Sequence, residues 1–506
     1  MIPGDGAPSQ VELIRSAEVF SLESGVVTSA AADLLILDGR IAAMGPDLPA
    51  PPGATVTDAR GMLAMPGLIN AHFHSPGNLM RGAVPGLPLE VFMLYEVPPL
   101  AAAADQKRLA YLRTLLGAIE MVKTGVTAVM DDAFHVPIAT PEGVDAICEA
   151  YRDIGMRARV AIDQPNVVEY AKYPFLADLL PDAIKRRMDA APRQSDEELL
   201  ELYAHLIGTW DGAADGRIGA ALSCSAPQRV TRPYLHALAS LSERRKLPFN
   251  MHILETKLQR VLGEDKYGRS LVRYAADEGA LGRHGVVIHG IWIDDADMRL
   301  IADSGATIAH NPVCNLRLGS GIAPFRAWRD AGCAVCIGTD EIIADDRANL
   351  WDAIKAVGMV HTLSDPDWRT WPTAAEALDV TLSGGARALG WSDIGALRVG
   401  AKADVVLVDL RTTAFTPLND LGRQLVYAES GSSVRDVMVD GRWIVRDGRI
   451  ATVDEAAILA EIRDASRAFS GQRAAADAAA RELEPYYREM VLKAHARDVG
   501  LRRRLD

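Results

Sequence analysis

The 506-residue sequence is poor in several features, and each scarcity excludes a class of protein. Five cysteines, an odd number in so long a chain, do not make the disulfide framework of a small secreted domain. Cys333 and Cys336 form a lone CxxC within Gly-Cys-Ala-Val-Cys-Ile-Gly, a run that reads as a strand. Residues three apart on a strand point to opposite faces and no second CxxC exists, so these are read as core thiols and not as a zinc site. Basic charge is in deficit: 54 Lys and Arg against 67 Asp and Glu give a net charge of −13. That balance argues against a nucleic-acid partner or an anionic membrane surface. No apolar run approaches the ~18 residues of a transmembrane helix. The opening MIPGDGAPSQ lacks the basic and apolar regions of a secretory leader. Neither GxGxxG nor a Walker A sequence is present, which removes the usual phosphate-cradling turns. A soluble, cytoplasmic protein is expected.

What is there begins with organisation. Residues 11–64 alternate apolar and polar positions in short runs, with Asp38-Gly39 as a hairpin turn pair. The same pattern returns only after residue 395, ahead of Asp440-Gly441 and Asp447-Gly448. Two β-rich ends flanking a long middle predict one small β-sandwich domain assembled from residues 1–64 and 393–450. The middle, 65–392, alternates eight β-rich runs (67–74, 128–131, 157–163, 218–224, 249–253, 286–290, 307–311 and 334–340) with amphipathic stretches such as 107–123, 233–245 and 258–278. Eight βα units predict an α/β fold of the (β/α)8, or TIM-barrel, type; an open doubly wound sheet is the runner-up, but it would be expected to carry a Gly-rich phosphate turn. Residues 451–506 read as a helical segment rich in Ala, Glu and Arg, and the Arg502–Arg504 triplet as its solvated end.

In such a barrel, chemistry sits at the C-terminal ends of the strands. His72 and His74 end the first run two residues apart, so both imidazoles share a face. His252 ends the fifth run, His289 the sixth and Asp340 the eighth. A lone histidine is usually a satisfied core residue and HxH alone is weak, but these residues converge on one mouth. Imidazoles plus a carboxylate suit a single zinc-like divalent ion, with iron and manganese accepted by the same donors. Glu255, three residues beyond His252, is placed to move protons, although it could instead cap the following helix. His310, Asn311 and Asn315 read as substrate-loop residues or as an ordinary turn before Pro312.

These residues stand within longer motifs. Met65-Pro-Gly-Leu-Ile-Asn-Ala-His-Phe-His74 resembles the first-strand signature of the amidohydrolase superfamily. Asn78-Leu-Met-Arg-Gly82, Leu87-Pro-Leu89, His252–Glu255, Val287-Ile-His-Gly290, Ala309-His-Asn-Pro312 and Gly338-Thr-Asp340 are similar to its cytosine/guanine-deaminase and triazine-hydrolase branch. Gly400-Ala-Lys-Ala-Asp-Val405 resembles the strand that re-enters the small β domain. The resemblance implies a mononuclear metal hydrolase with His72, His74, His252 and Asp340 as ligands. Asp340 would take the proton of the attacking water, Glu255 would protonate the leaving nitrogen, and His289 would stabilise the developing oxyanion. No lysine at the fourth strand end, Ser223-Cys-Ser225, offers the bridge of a binuclear centre.

Four departures concern the pocket. Ser225 and Gln228 of Cys224-Ser-Ala-Pro-Gln228 stand where aminopurine deaminases of the branch carry His and Tyr, Phe92 where a Trp is usual, and Glu341 where a small residue follows Gly-Thr-Asp. Position alone nominates Gln164, Ser225, Gln228, Asn311, Phe92, Trp292 and Met80 as pocket contacts. The activity expected is hydrolytic deamination of a heterocyclic amine, a purine, pyrimidine, pterin or triazine, with release of ammonia. Cleavage of a cyclic or aryl amide or urea is the alternative. Dechlorination ranks below both, because Glu255 suits a leaving group that needs a proton. A catalytically dead binding protein on the same barrel would lack ligands that are present here. A small-molecule substrate and a homodimer or homotetramer complete the expectation.

Overall fold

A computed structural model describes residues 11–101 and 106–504; the opening decapeptide, read above as no leader, lies outside them. The chain begins with strands β1 (Val11–Glu23), β2 (Val26–Leu37), β3 (Arg40–Gly45), β4 (Thr55–Asp58) and β5 (Met62–Pro66). It continues with β6 (Leu68–His74), β7 (Val126–Phe134), β8 (Arg157–Asp163), β9 (Ile218–Ala220), β10 (Leu222–Ser223), β11 (Phe249–Ile253) and β12 (Gly285–His289). Then come β13 (Thr307–His310), β14 (Ala334–Ile337), β15 (Asp340–Glu341), β16 (Val405–Asp409), β17 (Val434–Val439), β18 (Arg442–Arg446) and β19 (Arg449–Ile450).

Both chain ends build one sheet, in the order β19-β18-β17-β16-β5-β1-β2-β3, with β4 also on β1. The two parts meet where β16 runs antiparallel to β5, Val406 opposite Met65. One shared cluster buries Ile14, Leu34, Ile36, Val405, Leu407 and Met438. Asp38-Gly39, Asp440-Gly441 and Asp447-Gly448 all have positive φ at both residues, the geometry of a tight hairpin turn whose twist matches its strands. A buried ion pair ties this sheet to the barrel: Arg157 Nε and Nη2 donate to Asp404 at 2.6 and 3.1 Å, and Nη2 to Asp440 at 2.9 Å.

The barrel strands are parallel and form two runs, β15-β6-β7-β8-β9 and β10-β11-β12-β13-β14. Only Ala221 separates β9 from β10, and only Gly338 and Thr339 separate β14 from β15. The two runs therefore close into an eight-stranded ring through an interrupted fourth and an interrupted eighth strand. The expected continuous strands 218–224 and 334–340 are corrected in this respect. The second break has a visible cause: a Cβ on Gly338 would lie 2.6 Å from both Asn311 Oδ1 and the His72 carbonyl oxygen. Only glycine lets the last strand come this close to the first. Asn70 then clamps the next residue, accepting from the Thr339 N–H at 3.0 Å and donating to Thr339 Oγ1 at 2.8 Å.

The helices follow the periodic stretches, with one correction. Residues 258–278 split into Lys257–Tyr267 and Leu271–Asp277, because Gly268 at φ +64° caps the first. All five cysteines are buried and unpaired. A helix of 42 residues, Glu455–Ala496, buries Tyr487, Met490, Val491 and Ala494 against Val91, Leu94 and Leu258 at the barrel mouth. The arginine triplet is not its end. Arg503 donates to the carbonyls of Ile291 and Ile293 at 2.8 and 2.9 Å, and Arg504 to that of Gly319 at 2.7 Å, so the tail docks on the loops after β12 and β13. No described helix is long and apolar enough to cross a membrane.

Candidate active site

The ends of the first and fifth barrel strands face each other across the mouth. His74 Nδ1 hydrogen-bonds the Asp132 carbonyl and His252 Nδ1 the Ser225 carbonyl, the latter at 2.7 Å. Each Nδ1 therefore carries its proton, and each Nε2 presents a lone pair. Those two Nε2 atoms lie 3.2 Å apart. Two lone pairs at that distance repel unless a cation sits between them. Burial disfavours a proton in that role: it pushes the His74 imidazole down to about 3 and that of His252 well below its ordinary value. His72, fully buried beside them, has no hydrogen-bond partner on either ring nitrogen. These donors fit a divalent ion, and the ring N–H groups fixed by backbone carbonyls are the outer support such ligands carry.

Asp340 arrives from the last strand. Its Oδ1 is 3.5 Å from Nε2 of both His72 and His74, and the Glu341 N–H donates to the same oxygen at 3.0 Å. Burial alone would raise the Asp340 carboxyl, but the rings of His72, His289 and His74 override it and hold it well below the usual range. His289 Nε2 lies 3.6 Å from Asp340 and 3.5 Å from Glu255, while its Nδ1 bonds Asn315 Oδ1 at 2.9 Å. Burial raises Glu255 to about 7, so near neutral pH it can both hold and release a proton. Glu255 does not cap the next helix: the Thr256 hydroxyl accepts from the Gln259 N–H. Donor atoms of His72, His74 and Asp340 lie within 4.8 Å of one another, as do those of His72, His252 and His289 and of His74, Asp163 and His252. Ser225, Leu254, His289 and Asp340 all have positive φ, at the ends of strands four, five, six and eight. Such backbone strain outside glycine collects at functional sites.

Above this cluster lies a cavity of about 380 Å³. Phe92, Gln164 and Ser225 line it. Gln228, Trp292, Asn311 and Met80 are not among its lining residues. Gln228 is the buried middle residue of the short turn Pro227–Arg229. The Trp292 indole donates to the Ser320 carbonyl at 2.8 Å, and Asn311 packs under His289 and against Gly338. Met80 joins a core cluster with Val84, Cys314 and Leu318. His310 turns away to His361, Nε2 to Nε2 at 2.9 Å.

The chain matches the model of the Amidohydrolase family over residues 63–444. It belongs to the amidohydrolase family. A 5-methylthioadenosine/S-adenosylhomocysteine deaminase of Halobacterium salinarum is 34% identical over 421 residues, 83% of this chain and 89% of that protein. A 5'-deoxyadenosine deaminase of Methanosarcina acetivorans is 28% identical over 454 residues, 90% of this chain and 97% of its own. Among solved structures, an adenosine deaminase from Xanthomonas campestris with bound zinc superposes with a TM-score of 0.80 at 26% identity, covering 91% of this chain and 99% of that one.

Amidohydrolases are metal-dependent, and the histidine–aspartate cluster accords with that. Sequence reasoning missed several groups of this amidohydrolase's pocket. Glu96 and Glu341 both line the cavity; burial raises Glu96 to about 7, and burial together with the nearby Glu96 raises Glu341. Arg229 lines it as well, with Nη2 3.6 Å from Met93 Sδ. Glu341 stood out as a departure from the family pattern, whereas no motif marked Glu96 or Arg229.

Proposed function

We propose that this amidohydrolase holds one divalent ion, zinc by preference, on His72, His74, His252 and Asp340, and hydrolytically deaminates a heterocyclic amine with release of ammonia. The observation that carries the metal centre is the facing pair of His74 and His252 lone pairs at 3.2 Å. The deaminase names of the relatives support the choice of reaction. When bound, such an ion supplies Lewis acidity and a nucleophilic water at neutral pH. The chain's own residues do the rest. Asp340 accepts the proton of the attacking water, and its lowered basicity lets it pass that proton on. Glu255, held near neutrality by burial, delivers a proton to the departing nitrogen. His289, oriented by Asn315 and facing both carboxylates, hydrogen-bonds the oxygen on which charge develops. Apolar walls that include Phe92, Leu89 and Tyr487 exclude bulk water.

Gln164 and Ser225 are proposed as substrate contacts alongside Phe92. The same reading divides the chain into a barrel (65–392), a β-sandwich domain from 1–64 and 393–450, and a helical segment (451–506); the sheet shared by β1–β5 and β16–β19 supports it. A homodimer or homotetramer in the cytoplasm is part of this reading, and five unpaired buried cysteines accord with a reducing compartment. The test is ammonia release from a panel of adenosine-type nucleosides, aminopurines, aminopyrimidines, aminotriazines and pterins. Ammonia from at least one class supports deamination. No ammonia from any of them, with turnover of hydantoins or arylureas instead, replaces it by amide or urea cleavage.

A further inference from the structure

The arginine tail braces the two loops that carry the proton-handling groups. Arg503 donates from Nε to the Ile291 carbonyl at 2.8 Å and from Nη2 to the Ile293 carbonyl at 2.9 Å. Its own carbonyl accepts from the Ile322 N–H at 2.6 Å. One residue therefore ties the loop after β12 to the loop after β13. The second loop is shaped for it: a Cβ on Gly321, whose φ is +135°, would lie 2.7 Å from the Arg503 carbonyl oxygen. Only glycine admits the tail there. Asp294 and Asp295, at the start of the next helix, act on the guanidinium as counter-charges. A flat fork of fixed donors spans two carbonyls two residues apart, which the point charge of a lysine does not.

Inside this brace the two loops meet the reacting groups. The loop after β12 starts at His289, and its Trp292 N–H donates to the Leu254 carbonyl at 2.8 Å, one residue before Glu255. The Trp292 indole donates to the Ser320 carbonyl at 2.8 Å. The Ser320 hydroxyl donates to Glu255 Oε1 at 3.3 Å, and the Ser320 N–H to the Asn315 carbonyl at 2.8 Å. Asn315 in turn holds His289 Nδ1. Arg503 is not among the residues that line the cavity, so it acts through these neighbours. Resting on the roles given above to Glu255 and His289, we propose that Arg503 is a positioning residue for catalysis. Through Trp292 and Ser320, the C-terminal tail fixes the proton donor and the oxyanion partner against each other. The two groups it registers stand 3.5 Å apart, His289 Nε2 to Glu255 Oε2. Proton delivery depends steeply on such geometry, and a displacement of about 1 Å costs on the order of 10²-fold in rate.

The test compares the zinc-loaded full chain with Arg503→Ala, Arg503→Lys, Ser320→Ala and the double variant of Arg503→Ala with Ser320→Ala. Ammonia release is followed with 5'-deoxyadenosine, or with whichever compound of the panel above is turned over faster. Arg503→Ala should lower kcat by about 10–100-fold with KM within about threefold and bound zinc unchanged. Arg503→Lys should recover part of the loss. Because the tail acts through Ser320, the double variant should lose far less than the two single losses combined. Arg497→Ala breaks another contact of the tail, with Asp265 at 3.1 Å, and should keep wild-type kinetics. Hydrogen exchange of the segments 285–294 and 316–324 should quicken in Arg503→Ala, while 157–163 stays protected. Wild-type kcat in Arg503→Ala, a loss confined to KM, lost zinc, unchanged exchange or full additivity with Ser320→Ala would overturn the proposal. If Arg503→Ala does not fold, Arg503→Lys decides: lowered kcat at wild-type KM supports the proposal and unchanged kcat overturns it. No ammonia from the wild type with any compound would count against deamination alone, and the same kinetics on hydantoin or arylurea cleavage would then decide the role of Arg503. No turnover of either kind by the wild type would overturn both.

Discussion

Asp340 lies in register with Phe73, so the closure of the barrel sets its carboxylate between His72 and His74, 3.5 Å from each. The residues are more than 260 positions apart in the chain. Gly338 permits the approach, because any side chain there meets the His72 carbonyl and Asn311. Gly338→Ala is expected to cost about 1–3 kcal/mol through overpacking and to leave the protein with less than one bound zinc per chain. Denaturant unfolding and elemental analysis together check this; unchanged zinc content would show that the close approach does not position the ligands.

The facing lone pairs of His74 and His252 predict a linkage between metal and stability. Chelator-treated protein should gain melting temperature on adding zinc, since a ligand that binds only the folded state stabilises it by mass action. His72→Ala should lose most of that gain. A wild-type melting temperature indifferent to zinc would contradict the metal centre.

Burial holds Glu255 near 7, which gives a pH dependence of definite sign. The donor form is the protonated one, so kcat should fall on the alkaline side of about 7 as the proton is lost. Glu255→Gln should remove that limb and lower kcat by about 10²–10⁴-fold. An alkaline limb that persists unchanged in the variant would assign the proton transfer elsewhere.

Much of this was legible in the sequence because strands buried on both faces read as short β-rich runs. Two of the predicted runs, 157–163 and 249–253, coincide with β8 and β11. His72, His74, His252 and Asp340 were legible because they end such runs. The positive φ of Ser225, Leu254 and His289 was not, since no glycine or asparagine marks those positions. Gln228, Trp292 and Asn311 were placed at the correct end of the barrel, but position along a strand does not say which way a side chain turns once the loop begins. Arg229 was illegible for a different reason. Leu483 and Tyr487 of the C-terminal helix, some 250 residues away, line the same cavity, and no local pattern reports that cover.

Arg157 joins the barrel to the terminal sheet through Asp404 and Asp440 with all three side chains buried. Arg157→Met should destabilise the protein by about 3–5 kcal/mol, because Asp404 is left buried without its cation. Urea unfolding measures it, and a change below about 1 kcal/mol would mean that Lys402, already 2.8 Å from Asp440, suffices as counter-charge.

The central claim is that one metal centre completed by Asp340 performs a hydrolytic deamination. The most direct measurement is ammonia release by zinc-loaded wild type beside Asp340→Asn, with far-ultraviolet circular dichroism to compare their folds. Ammonia from the wild type, a loss of at least about 10³-fold in the variant and matching spectra are expected. Near-wild-type turnover by Asp340→Asn with an intact fold would contradict that claim.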